Sequence, residues 1–329
     1  MPVDSFNRRI DYLRLSVTDR CNLRCLYCLP EFYARFAPAE ELLSDSEIEG
    51  LAACFAALGV SKIRVTGGEP LVRPAIADLI SRLAKLPGVA EVSLSTNGML
   101  LAPLARELAQ AGLRRVNISL DTLRPERFRQ ITRFGKLAAV LDGIEAALKA
   151  GLNPVKLNVV VARGMNADEI GAFVELTRSL PLHVRFIELM PMGETGFFSE
   201  ERRVSLQEML ERAAPLKALC PEERPLGHGP ARYYRRPGAE GTVGFISPLS
   251  CGFCSSCNRV RLTARGVLVP CLDASEGTDL RQALRDKTGR AHLQSLILSV
   301  IEKKPRQHSM LERAAGLSPN PRFMCQIGG

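Results

Sequence analysis

Over the first 190 or so residues, short runs that alternate apolar and polar positions take turns with longer segments whose apolar positions recur every three to four residues. The alternation predicts six strands, at Leu13–Thr18, Lys62–Thr66, Val92–Thr96, Val116–Leu120, Val155–Val161 and Val184–Leu189. The longer period predicts helices between them, at Ser46–Leu58, Ile76–Leu86, Leu101–Ala111, Leu137–Ala150 and Ala167–Leu180. Ser44, Asp45 and Glu47 stand where a capping residue and first-turn acids belong. Strand and helix repeated in this order specify βα units and a mainly parallel sheet.

Residues i and i+2 of a strand share a face, and one shared face here is polar. Arg14, Ser16 and Thr18 fall together, as do Lys62, Arg64 and Thr66, then Asn117 and Ser119, then Lys156 and Asn158; the opposite faces carry Leu, Ile and Val. A complete eight-stranded barrel fills its interior with branched apolar side chains. A polar inner face therefore predicts a solvated chamber that holds a polar, anionic ligand, and six strands fit an α/β fold with an incomplete (βα)6 barrel; the alternative, an open sheet with one face in solvent, is uncommon for parallel strands. After Pro191 the pattern gives way to Gly- and Pro-rich sequence, an isolated helix at Leu206–Ala214 and loops from Pro215 to Gly241. The expected division is a barrel over residues 1–220 and a smaller C-terminal domain over 221–329 that closes the open side.

Composition narrows the function. With 329 residues and 46% hydrophobic content the chain can bury one large core and a smaller second one, and a formal charge of +9 calls for an anionic partner. The basic stretch Arg232–Arg236, which contains Tyr233 and Tyr234, is read as a solvated loop between Pro230 and Pro237, with RNA stacking as the alternative. Met1–Ile10 is polar and carries Arg8 and Arg9, so a cytoplasmic protein without a membrane span is expected. Ten cysteines in a reducing compartment then raise a question about metals, not disulfides. Cys54, Cys220 and Cys325 are scattered and are expected to be ordinary small buried residues.

The other seven cysteines form two constellations. Cys21-x3-Cys25-x2-Cys28 follows the first strand; three thiolates this close can wrap one face of a four-iron cubane and leave the fourth iron without a protein ligand. A structural zinc would need a fourth donor nearby, and His183, His228, His292 and His308 are all remote in sequence. This spacing, with Tyr27 before the last cysteine, resembles the motif of the radical S-adenosylmethionine (SAM) superfamily. The resemblance implies a [4Fe-4S] cluster whose open iron chelates SAM and delivers the electron that cleaves it to methionine and a 5′-deoxyadenosyl radical. Thr66-Gly67-Gly68-Glu69-Pro70 is similar to the segment that approaches SAM in that superfamily; read alone, the two glycines would be a tight turn. The same resemblance implies SAM contacts from Tyr27, Gly68, Thr96, Ser119 and Met190. All of these positions lie at or just beyond strand ends, where βα barrels gather their ligand-handling groups.

The second constellation is Cys254-x2-Cys257, with Cys271 after thirteen intervening residues, and it is expected to lie outside the barrel. Cys251 could complete a four-thiolate site, so the residues alone leave a closed zinc or iron-sulfur site open beside a three-ligand one. Arg259 and Arg261 alternate with Val260 and Leu262 in a strand-like run, and two guanidiniums there suit a polyphosphate. Leu13-Arg14-Leu15-Ser16-Val17-Thr18-Asp19-Arg20-Cys21, Cys257-Asn258-Arg259-Val260-Arg261 and Ile327-Gly328-Gly329 together resemble the GTP 3′,8-cyclase family. This second resemblance implies a lyase that opens molybdenum cofactor biosynthesis: the deoxyadenosyl radical takes hydrogen from ribose carbon 3′ of GTP, and that carbon then attacks guanine carbon 8. It implies a second [4Fe-4S] cluster on Cys254, Cys257 and Cys271, and GTP held by Arg14, Lys62, Arg64, Lys156, Arg185, Arg259 and Arg261. Catalytic roles fall to Arg14, Arg259, Arg261, Gly328 and Gly329, the last two through a tail inserted into the chamber. It also implies a reducing electron donor, a homodimer and cyclic pyranopterin monophosphate synthase as the downstream partner, with neither membrane nor nucleic acid. The alternatives are another radical SAM enzyme with an auxiliary cluster that acts on a peptide, and a non-enzymatic metal-cluster protein that binds RNA. The sequence has neither a Gly-x4-Gly-Lys-Ser/Thr phosphate loop nor a dinucleotide fingerprint, so side chains have to grip the phosphates.

Overall fold

A computed structural model of the chain describes every residue except His228, Leu311, residues 313–321 and Gly329. Six βα units build its first part. The strands are β1 (Tyr12–Ser16), β2 (Lys62–Thr66), β3 (Glu91–Thr96), β4 (Arg115–Ser119), β5 (Val155–Val161) and β6 (Leu182–Glu188), within two residues of the expected bounds. The helices α1 (Asp45–Ala57), α2 (Ile76–Lys85), α3 (Leu101–Gln110), α4 (Pro125–Thr132), α5 (Leu137–Lys149) and α6 (Ile170–Ser179) connect them, and α7 (Leu206–Ala213) follows. Ser44 caps α1 in a reciprocal box: its hydroxyl accepts from the Glu47 amide at 3.3 Å, and the Glu47 carboxylate accepts from the Ser44 amide at 2.8 Å.

The outward strand faces carry Leu13, Leu15, Val65, Leu94, Ile118 and Phe186, all fully buried against the helices. Burying each such side chain contributes about 1.5–3 kcal/mol. A one-residue slip would turn all of them into the chamber, so the register is strongly specified.

The C-terminal part adds strands β7 (Lys217–Ala218), β8 (Arg232–Arg235), β9 (Thr242–Ile246), β10 (Arg259–Leu262), β11 (Val267–Val269) and β12 (Thr278–Asp279), with helices α8 (Leu280–Arg285) and α9 (Arg290–Glu302). The twelve strands of the described residues form one sheet, in the order β12-β11-β10-β1-β2-β3-β4-β5-β6-β9-β8-β7. The pairings β10·β1 and β6·β9 are parallel, so the C-terminal part supplies a neighbour to each free edge of the six-stranded barrel, and the sheet continues across the expected boundary at 220.

Three expectations need correction. The second cysteine constellation does not lie outside the barrel, because the strand between its cysteines, β10, pairs with β1; an unpaired β1 edge has backbone groups to satisfy, and the buried Val260 and Leu262 give β10 an apolar side for the core. Arg232–Arg235 is a strand and not a solvated loop: it pairs antiparallel with β9, with Tyr233 buried. Cys220 is exposed, and its thiol donates to Glu223 at 3.1 Å.

Candidate active site

The β1 and β2 loops meet where only glycine fits. A Cβ on Gly67 would lie 2.6 Å from the Thr18 carbonyl oxygen and one on Gly68 2.3 Å from that of Arg20. Without side chains, the amides of Gly68 and Glu69 donate to Thr18 and Arg20 at 2.7 and 2.8 Å. The Glu69 carboxylate, buried, then accepts from the Thr96 hydroxyl and the Asn97 amide, both at 2.6 Å, and from the Leu71 amide at 3.0 Å. Burial outweighs those donors and lifts its pKa to about 7. The Asn97 side chain reaches Asn22 at 2.7 Å, next to Cys21. Asp121, beyond β4, accepts from the Tyr27 hydroxyl at 2.7 Å and the Val160 amide at 2.8 Å, and burial lifts it to about 6.

These contacts shape a cavity of about 200 Å³ at the C-terminal ends of β2 to β6, and Cys21, Cys25 and Cys28 all line it. Gly68, Thr96, Ser119, Met190 and Tyr27 line the same cavity, so all five expected SAM residues come together. Cys325 lines it too; it packs with Tyr33 and Phe323 against Cys21 and Cys28, and burial raises its thiol to about 12. It is buried as expected, but beside the first thiolate set instead of in an unrelated core.

Below the cavity, register aligns the cations. Arg261, Arg14 and Arg64 stand opposite one another on β10, β1 and β2; Arg64 faces Ser93, and Ser93 faces Arg115 on β4. Lys156 pairs in register with Asn117, and Arg185 with Asn158. Arg64, Arg115, Lys156, Arg185 and Arg261 are all buried. Arg115 is matched by Glu91, its Nε donating to the carboxylate at 2.8 Å. Lys62 sits apart at the start of β2, with its ammonium 2.6 Å from Asp11. Arg64 donates from Nε to the Tyr12 hydroxyl and from a terminal nitrogen to the Leu94 carbonyl at 3.1 Å, while Lys156 donates to the Leu226 carbonyl.

The electrostatics show what this arrangement lacks. Burial, aided by Arg185, Arg115 and Arg64, pushes the Lys156 ammonium down to about 5. Burial also lowers Arg14, with Arg261 adding to the effect, and takes Arg261 to about 10. Burial alone would raise the Tyr12 phenol, but Arg64 and Arg14 overcome it and hold it at about 8. Arg185 Nε, Arg259 Nε, Asn117 Oδ1 and Asn158 Oδ1 are buried without a hydrogen-bond partner among the described residues. Buried like charges and orphaned polar atoms are costly unless a ligand meets them, and a polyanion with donor and acceptor edges fits the need.

The two thiolate sets lie at opposite ends of the strands that carry this row. Cys21 follows β1, whereas Cys257 precedes its parallel neighbour β10, and Cys271 returns to the same end after the antiparallel β11. The five residues of β1 between the two ends span about 16 Å. Burial acts to raise the Cys257 thiol, but Arg259 and Lys304 outweigh it and bring it to about 7, close to the thiolate form that binds iron. The C-terminal tail enters from the side. Gly328, at φ +73°, is buried between Ser16 and Thr66, and its carbonyl accepts from Arg261; Gly329 lies outside the described residues. Tyr12 and Arg115 were not anticipated from sequence, although each shares the i, i+2 alternation of its strand, Tyr12 with Arg14 and Arg115 with Asn117.

Comparison with known proteins agrees with this geometry. Residues 15–177 match the model of the radical SAM superfamily and residues 182–310 that of Molybdenum Cofactor Synthesis C. The chain is 49% identical over 327 residues to the GTP 3′,8-cyclase of Pelotomaculum thermopropionicum, which covers 99% of both chains. It is 50% identical to that of Heliobacterium modesticaldum, covering 99% of this chain and 100% of the relative. Among solved structures, Streptococcus suis SuiB bound to S-adenosylmethionine shares the fold, with a TM-score of 0.61 at 14% identity over 88% of this chain and 68% of that one. Thiolate motifs, sheet order and near half-identity along the whole length agree: the chain belongs to the GTP 3′,8-cyclase family of radical SAM enzymes.

Proposed function

We propose that the protein converts GTP to (8S)-3′,8-cyclo-7,8-dihydroguanosine 5′-triphosphate, the first step of molybdenum cofactor biosynthesis, with SAM and two [4Fe-4S] clusters as cofactors. The observation that carries this reading is the row of buried cations between two thiolate sets at opposite ends of β1 and β10. Cys21, Cys25 and Cys28 would hold the first cluster, which when loaded supplies the electron that cleaves SAM. Gly68, Thr96, Ser119, Met190 and Tyr27 would seat SAM; at Gly68 the contact is made by backbone, since no side chain fits there. Cys254, Cys257 and Cys271 would hold the second cluster beside the guanine base.

Arg14, Arg64, Lys156, Arg185, Arg259 and Arg261 bind the nucleotide. Gathering a triphosphate among them neutralises the buried charge and orients the ribose, so that carbon 3′ faces the SAM cavity while carbon 8 stays within its reach. Asn117 and Asn158 offer amide oxygens to nucleotide donors. Lys62 contributes at longer range because Asp11 already matches it. The Gly328 carbonyl fixes the Arg261 guanidinium and thereby the phosphate end.

An external one-electron reductant, release of product to cyclic pyranopterin monophosphate synthase, a homodimer and a cytoplasmic setting complete the reading. The family supports these four, and no described helix is long and apolar enough to cross a membrane. The decisive experiment incubates anaerobically reconstituted protein with SAM, dithionite and GTP. The expected result is GTP-dependent consumption of SAM with a cyclised nucleotide seen by mass spectrometry; SAM cleavage with GTP recovered unchanged would overturn the assignment.

A further inference from the structure

The end of β10 that holds the second thiolate set is enclosed by the N-terminal segment and by the chain that follows α9. The segment Lys304–Ser309, which follows α9, meets that set from several sides. Lys304 is 3% exposed, and its ammonium donates to the Pro270 carbonyl at 2.6 Å, one residue before Cys271. The His308 backbone amide lies beside the Cys254 thiol. The amide and hydroxyl of Ser309 bind the Asp273 carboxylate at 2.8 and 3.0 Å, two residues past Cys271. Arg8 ties the segment to the cysteine loop by donating to the carbonyls of Cys254 at 2.8 Å and Pro305 at 2.7 Å, while Asp4 holds it at 2.6 Å.

The charges in this shell are not balanced. Asp4 matches Arg8, and both are buried. Lys304 meets no carboxylate within ion-pair reach among the described residues. An ammonium this deeply buried requires a compensating anion, and the thiolates of Cys254, Cys257 and Cys271 are the anions its position serves. A cubane held by three thiolates is negative overall and gains one more negative charge on reduction, so a fixed cation nearby favours the reduced form.

We propose that Lys304 is the counter-charge of the second cluster, braced by the Asp4–Arg8 pair, and that as a positioning residue it raises that cluster's reduction potential and helps to retain its iron. The inference rests on Cys254, Cys257 and Cys271 being the ligands, which iron analysis of the otherwise native chain tests separately: zinc or no metal at that site would refute the ligand reading before Lys304 is examined.

The test uses full-length protein with Cys21, Cys25 and Cys28 replaced by Ala, so that only the second cluster reports, and compares Lys304→Arg with Lys304→Gln. Gln keeps a donor for the Pro270 carbonyl but no charge; Arg keeps both. Iron content is measured first, and the potential is then followed by electron paramagnetic resonance during reductive titration. The expected outcome is an unchanged potential with Arg and a more negative one with Gln; loss of iron from the Gln protein alone would support the same conclusion. Equal potentials in Gln and parent proteins, or loss of iron from Gln and Arg alike, would overturn it.

Discussion

The guanidinium of Arg261 donates to the carbonyl of Gly328, so the C-terminal glycine segment rests on the arginine that stands opposite Arg14 across β10 and β1. Removing Gly328 and Gly329 should therefore leave melting temperature, iron content and SAM binding intact while abolishing the cyclised nucleotide. Gly328→Ala should be milder. Its φ of +73° and a Cβ 2.9 Å from Thr66 Cγ2 impose about 1–3 kcal/mol of strain, which corresponds to a roughly 5- to 150-fold loss of product formation. Wild-type yield from the truncated protein would end this account, and chromatography with mass spectrometry reads it.

Iron should divide between the two thiolate sets. Replacing Cys21, Cys25 and Cys28 by Ala, or Cys254, Cys257 and Cys271, should each remove about half the iron of anaerobically prepared protein, the outcome expected of the proposed four-iron cluster on each set. Cys251→Ser should keep the full complement. A drop in second-site iron in that variant, or stoichiometric zinc there, would show a closed four-thiolate site instead.

Arg259→Ala and Arg261→Ala should each weaken GTP binding by about 1.5–3 kcal/mol, the range for a lost charge-assisted contact. SAM cleavage in the absence of GTP should hardly change, because Arg259 stands beside Cys257 at the start of β10, Arg261 stands opposite Arg14 midway along β1, and neither lines the cavity that holds Cys21, Cys25 and Cys28. Calorimetric titration of GTP beside a 5′-deoxyadenosine assay separates the two effects. Parallel losses in both assays would make these residues structural.

GTP binding should take up protons. In the nucleotide-free protein Lys156 is held at about 5 and Tyr12 at about 8; a triphosphate among them favours the protonated form of each. Between pH 5 and the ordinary lysine value of 10.5 the free protein leaves Lys156 neutral, so bound GTP adds a proton and affinity must fall as pH rises through that window. Titrations at pH 7.5 in two buffers of different ionisation enthalpy give the proton count, and Lys156→Met should reduce it. A count of zero in the native protein would contradict the electrostatic picture.

Gly68→Ala should lose both SAM affinity and first-site iron, because the new Cβ would lie 2.3 Å from a backbone oxygen of the loop that leads into Cys21. Second-site iron should be retained. Normal SAM binding by this variant would mean that the β1 and β2 loops separate at little cost.

Most of the barrel and both thiolate sets are legible in the sequence, for a physical reason: period-2 alternation and thiolate spacing are local signals. Arg14, Arg64 and Lys156 declared their shared face through their own neighbours. Long-range pairing leaves no such trace. Arg232–Arg235 looks like a loop because its flanking prolines dominate the local signal, and only the edge of β9 makes it a strand. The Arg259–Arg261 strand was recognised, but nothing within it says that its partner is β1. Nothing local marks Arg8 or Lys304 as buried, since burial by segments almost three hundred residues apart, as in the Arg8 contact to Pro305 with a separation of 297, is invisible locally.

The parallel pairings of β10 with β1 and of β9 with β6 also set a timetable for synthesis. The first six strands leave the ribosome as an open sheet with two unsatisfied edges. The β6 edge is completed soon afterwards, but β1 must wait for a partner so distant that Asn258 reaches Asp11 across 247 residues. Such delayed closure slows folding and leaves an exposed edge that recruits other chains. Nascent chains stalled before Leu262 should therefore be the aggregation-prone species during expression, and slower translation of the second half should lengthen the interval in which that edge stands open.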